Sequence, residues 1–172
     1  LPLESESEAA MNTRKILCPT DFSQYTDAAL GYASSLAAES GATLYIVHVD
    51  EYRDSSAALG EAAINYAAPW GIADRSEVRK QLDEVKPTLP HVDFEHRYLE
   101  GGPIHEIVDF AEREHVDLIV MGSHGRTGLA RLLMGSVAEG VARRAPCPVL
   151  IVKQPVAVAA EGESDDAMVL QE

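Results

Sequence analysis

DLIVMGSHG (residues 117–125), RTGLARLLM (126–134) and GSV (135–137) run together without a break. The run from Asp117 to Met121 is almost continuously apolar, as strands buried on both faces of a parallel sheet are. Gly122 and Gly125 follow it directly. Glycine lets the backbone turn sharply and brings its N–H groups close to a ligand with no Cβ in the way. After nine residues Gly135-Ser136 opens a helix, where unpaired N–H donors and the positive end of the helix dipole favour anions. Arg126 and Arg131 add positive charge between the two ends. Strand, glycine turn and helix start together suit phosphate oxygens.

Outward from this stretch the chain alternates between strand and helix. KILCP (15–19) is a short apolar run ended by Pro and Asp. A helix follows, with Tyr25, Ala28, Ala29, Tyr32, Ala33, Leu36 and Ala37 on one face and Gly41 closing it. TLYIVHV (43–49) is a second strand. Helical spacing through Val78, Leu82 and Val85 spans 76–86, and Pro87 and Pro90 stop it. Alternation over 91–99 gives a third strand. Gly101-Gly102-Pro103 reads as a helix start with Pro at its first position, and Ile104, Ile107, Val108 and Ala111 form the buried face. A helix over about 137–144 and a strand over 148–153 complete the order. Such alternation predicts a single α/β domain, a parallel sheet with helices on both faces joined by right-handed crossovers. Residues 50–74, interrupted by Gly60, Pro69 and Gly71, read as a variable connector.

Composition fixes the class. With 172 residues, 46% hydrophobic and 24% charged, the chain suits one soluble domain, here 15–153, and no apolar run reaches bilayer length. Residues 1–14 read as a disordered arm or vector-derived remnant, with Met11 a natural start; 154–172 carry Glu161, Glu163, Asp165, Asp166 and Glu172 and read as an acidic disordered tail. A net charge of −14 argues against nucleic acid as a general partner. The segment 116–153 nevertheless has an excess of basic residues, so a cationic island sits around the glycine stretch. Cys18 and Cys147 match no metal spacing, and a reduced, cytoplasmic setting is expected.

Two familiar phosphate motifs are absent: no Gly-Lys-Ser/Thr ending of a P-loop and no G-x-G-x-x-G. Instead Pro19-Thr20-Asp21-Phe22-Ser23, His48-Val49, and MGSHG, nine residues, GSV together resemble the ATP-binding branch of the universal stress protein family, over about 15–153. The resemblance implies a five-stranded parallel sheet of order 3-2-1-4-5, a homodimer, and an ATP-binding regulatory role. It places Pro19, Asp21 and Val49 around the adenosine and Met121, Gly122, Gly125, Gly135, Ser136 and Val137 along the phosphates of ATP, with or without Mg2+; Arg126 belongs to the same set. That order puts strands one and four at the topological switch point, where open parallel sheets bind ligands. Asp21, an anion, would then face ribose or base, where a carboxylate can accept hydrogen bonds. With strand four between strands one and five, Cys18 and Cys147 stand at least about 9 Å apart, beyond disulfide reach.

Plainer roles stay open for several of these residues. Ser136 and Glu139 also fit a capping box, and Asp21 also fits the turn into the first helix. His124 reads as exposed and incidental, Arg143 and Arg144 as cations suited to a helix C-terminus, and no second ligand spacing supports a metal at His91 and His96. Binding is better supported than catalysis, because no general base or complete metal shell can be assigned. The first expectation is a nucleotide-responsive dimeric regulator in which ATP orders 126–134; the alternatives are an ATPase or nucleotidyl/phosphoryl transferase at the same site, and a nucleotide-independent adapter or chaperone-like protein. Val149, Leu150, Ile151 and Val152 form the last strand, at a sheet edge, where apolar pairing is invited. The resemblance makes that edge the dimer seam.

Overall fold

The computed structural model describes residues 13–51, 75–124 and 134–153. Most of the expected arm and connector, the acidic tail, and Gly125, Arg126 and Arg131 lie outside the described residues. Among the described residues nine elements alternate: β1 (Lys15–Pro19), α1 (Gln24–Ser40), β2 (Thr43–Asp50), α2 (Arg75–Glu84), β3 (Phe94–Glu100), α3 (Pro103–Arg113), β4 (Leu118–Gly122), α4 (Ser136–Arg144) and β5 (Val149–Val152). The strands form one parallel sheet of order β3-β2-β1-β4-β5. Sequence and structure agree on class, strand count and order.

Strand alternation sends neighbouring side chains to opposite faces, and each face has its own core. Ile16, Cys18, Leu44, Ile46 and Val120 pack under α1 and α2; Leu17, Tyr45, Val47, Ile119 and Met121 pack under α3 and α4. Phe110, which the sequence reading left off the buried face of α3, is the largest fully buried side chain among the described residues and meets Tyr45 edge-to-face at 5.5 Å. Truncating it to Ala removes both the transfer term and the filled volume. Phe110→Ala should therefore cost about 3–5 kcal/mol of stability, seen as a lower urea midpoint with an unchanged slope.

Helix ends follow the residue chemistry. Gly41 ends α1 in the left-handed region at φ 68°, donating its N–H to the Ala37 carbonyl, and Pro103 takes the first turn of α3 after Gly102. The buried face of α1 is turned from the expected one: Thr26, Leu30 and Ser34 join Ala29, Ala33 and Ala37 inside, and Tyr32 is exposed. Two hydroxyls can be buried because they bond within the helix region. Thr26 Oγ1 donates to the Ser23 carbonyl at 2.8 Å and Ser34 Oγ to the Leu30 carbonyl at 2.7 Å. β3 begins at Phe94 rather than 91, because His91 turns the chain at φ 63°.

Cys18 on β1 and Cys147 before β5 are free thiols with β4 between their strands. Burial pushes the Cys18 thiol up to about 12, so it stays neutral. Among the described residues no helix is long and apolar enough to cross a membrane.

Candidate functional site

β1 and β4 lie side by side in the sheet and their connections leave in opposite directions, which opens a crevice at their carboxyl ends. β1 pairs with β4 at Ile16 and Leu118 and at Leu17 and Ile119. The strand ends carrying Pro19 and Met121-Gly122 therefore border the crevice together. Pro19, Met121 and Gly122 are buried, while Asp21 and Val49 are partly exposed.

The two glycine-bearing ends of the stretch converge. Gly135 donates its N–H to the Ser123 carbonyl at 2.7 Å, and Ser123 donates its own N–H to the Val152 carbonyl at 2.9 Å. The first bond ties the start of α4 to the end of β4, and the second ties that end to the neighbouring strand. Gly122 is required by close approach: a Cβ there would stand 2.8 Å from the Tyr25 carbonyl oxygen in the first turn of α1. This leaves the end of β4 flush against one helix start and tethered to another.

At α4, Gly135 is the N-cap and Ser136 the first helical residue. This corrects the capping-box alternative, in which Ser136 would occupy the cap and Glu139 the third helical position. Glu139 reaches Arg143 instead, at 2.7 Å across one turn. Ser136 is exposed and Val137 partly so, placing the first turn of α4 and its dipole at the crevice mouth. Arg143 and Arg144 occupy the last turn, as expected of cations at a helix C-terminus.

The turn after β1 is built from several bonds. Asp21 Oδ1 accepts the Ser23 N–H at 3.1 Å and the Ser23 hydroxyl at 2.6 Å, so Asp21 does shape the turn into α1. Thr20 donates its N–H to the Val47 carbonyl at 2.8 Å, and its Oγ1 accepts the Phe22 N–H at 3.1 Å. Phe22 has φ 61°, a conformation that costs a bulky residue about 1–3 kcal/mol. Its ring stacks on His48 with centroids 4.3 Å apart. His48 is buried and its Nδ1 bonds the Thr20 carbonyl at 2.8 Å. On the same side Tyr98 donates to the Asp50 carboxylate at 2.5 Å. Burial, then that bond and the Asp50 charge, push its hydroxyl up to about 12, which keeps it a donor at neutral pH.

Of the expected site residues, Pro19, Asp21, Met121, Gly122, Gly135, Ser136 and Val137 fall around the carboxyl ends of β1 and β4. Val49 lies one strand over, near the end of β2; Gly125 and Arg126 are outside the described residues. His124 is partly buried, not exposed: its Nδ1 bonds the Ser123 hydroxyl at 3.0 Å and its ring lies 5.8 Å from that of Tyr25. His91 sits in its turn, while His96 Nε2 bonds the Val85 carbonyl at 2.8 Å. Sequence reasoning assigned no role to Ser123 or His48. Both stand inside the quoted motifs, and a polar residue at the end of an apolar strand run was the available signal.

The universal stress protein family model matches residues 12–153. Universal stress protein MJ0531 of Methanocaldococcus jannaschii is 40% identical over 147 residues, covering 83% of each chain. Universal stress protein MJ0577 of the same organism is 34% identical over 154 residues, covering 82% of this chain and 95% of its own. The solved structure of MJ0577 superposes with a TM-score of 0.67 at 33% identity, over 83% of this chain and 97% of that one. A universal stress protein solved in complex with cAMP matches with a TM-score of 0.52 at 30% identity, over 82% of this chain and 97% of that one.

Proposed function

We propose that this chain, which belongs to the universal stress protein family, is an ATP-binding dimeric regulator that hydrolyses its nucleotide slowly or not at all. The observation that carries the reading is the Gly135 N–H to Ser123 carbonyl bond of 2.7 Å. It sets the start of α4 against the end of β4 at the switch point of the sheet. An exposed helix start beside a glycine-ended strand fits the phosphate chain: backbone N–H groups supply the donors and the α4 dipole supplies the field. Met121, Gly122, Gly125, Gly135, Ser136 and Val137 take the phosphates in this reading, with Arg126 adding charge. Pro19, Asp21 and Val49 take the adenosine. Mg2+ would spread phosphate charge if bound. The cAMP complex of a family member supports an adenine nucleotide as the ligand class.

The dimer seam in this reading is β5. It is an edge strand, and Leu150 is 38% exposed. Edge strands with apolar side chains invite pairing with a second chain, and a second copy supplies a matching edge through a two-fold axis.

Two assays separate regulator from enzyme. Nucleotide released by denaturing the freshly purified protein should be an adenine nucleotide. Steady-state ATP turnover should stay below about 1 s⁻¹, under the range of ordinary enzymes. Faster turnover at saturating ATP would replace the regulator with an ATPase or transferase using the same cradle.

A further inference from the structure

Asp21 can present a carboxylate to a nucleoside only if the turn that carries it is held, and that turn is strained. Phe22 sits at φ 61°, a conformation that a free chain would leave. Besides the turn's own bonds at Thr20 and Asp21, two further features oppose this, and both come from His48 on the neighbouring strand β2. The Thr20 carbonyl can only accept, so His48 Nδ1 carries the hydrogen of the 2.8 Å bond. The same imidazole lies against the Phe22 ring at 4.3 Å and 29°. One side chain thus fixes the residue before Asp21 through its backbone and the residue after Asp21 through its ring. Cys18, Thr20 and Phe22 line a cavity of about 240 Å3 beneath α1 and α2, and Pro19 and Asp21 do not line it.

We propose that His48 is a positioning residue of the nucleotide site, clamping the Pro19–Ser23 turn from the α1/α2 side so that Asp21 is set for the nucleoside. This rests on the ATP reading above. The bond needs only a hydrogen on Nδ1, which both the cation and one neutral tautomer provide, so the clamp does not depend on the charge of His48.

The imidazole's two contributions can be separated by substitution. His48→Asn keeps an N–H donor near the Nδ1 position and removes the ring; His48→Phe keeps a ring and removes the donor; His48→Ala removes both. ATP affinity is measured by equilibrium titration, and hydrogen exchange of the Ser23 amide, which Asp21 holds, is measured without nucleotide. Loss of one buried hydrogen bond should weaken ATP binding about tenfold in His48→Phe and speed Ser23 exchange by a similar factor. His48→Ala should exceed both changes, and His48→Asn should restore most of the affinity. Rescue by Asn is what a bulk packing role would not give, since Asn fills less space than Phe.

Wild-type affinity and wild-type Ser23 exchange in His48→Phe would overturn the proposal. Affinities that simply follow side-chain volume, with Asn weaker than Phe, would overturn it too. A wild-type protein that binds no ATP would remove the functional reading instead, and Ser23 exchange across the three variants would still show whether the clamp exists.

Discussion

Gly122→Val should abolish ATP binding, lowering affinity at least about 100-fold while leaving the secondary structure intact. The new Cβ would lie 2.8 Å from the Tyr25 carbonyl oxygen and 3.1 Å from its carbon. Both are backbone atoms at the start of α1, so no flexible side chain can swing away. Either the end of β4 or the first turn of α1 must move. Moving β4 drags Ser123 and, through its carbonyl, the Gly135 cap of α4. If two charge-assisted phosphate contacts are lost at about 1.5–3 kcal/mol each, the affinity falls by two orders of magnitude or more. Overpacking itself costs about 1–3 kcal/mol, which the two-sided core can bear. Circular dichroism should therefore stay near wild type while titration with ATP goes flat. Wild-type affinity in this variant would mean that the end of β4 does not touch the ligand.

Leu150→Asp should convert a dimer to a monomer on gel filtration. Leu150 is the exposed apolar residue of the edge strand, and in an isologous seam each copy buries its own. Removing two leucines forfeits about 1.5–3 kcal/mol each. Two carboxylates brought near the two-fold axis add repulsion, so the dissociation constant should rise at least 1,000-fold, on the order of 4 kcal/mol. The fold is spared because Leu150 does not belong to either core cluster. A dimer that survives the substitution would place the seam elsewhere on the surface.

Elements and topology were legible because local chemistry and global fold agree. Gly41 can end α1 in a left-handed residue, Pro103 can start α3, and five apolar runs separated by helical spacing leave little but a parallel sheet. The resemblance supplied the strand order. The misread positions are those where a partner outside the local window decides. Tyr32 counts as apolar by composition, yet its polar tip tolerates water, while Ser34 goes inside because Leu30 and Thr88 bond its hydroxyl. Alternation from His91 onward looks like strand, but the turn at His91 delays pairing until Phe94.

The site was legible as a set of strand ends and glycines, and less so as a mechanism of support. Nothing in the letters PTDFS announces that Phe22 takes a left-handed backbone, a conformation more common for Asn or Gly. Its counterweight lies on another strand, 26 residues along, where His48 stacks on it. Ser136 shows the converse. Its capping-box spacing to Glu139 is a sound local signal, but the cap moves one residue earlier when Gly135 bonds to Ser123.

The most direct measurement is a calorimetric titration of ATP into the intact protein after bound nucleotide has been stripped from it. Saturable binding of a single ATP per chain, with ADP binding more weakly and Gly122→Val giving no heat, is the result expected of a phosphate cradle between β4 and α4. A folded wild-type protein that takes up no ATP would contradict the account.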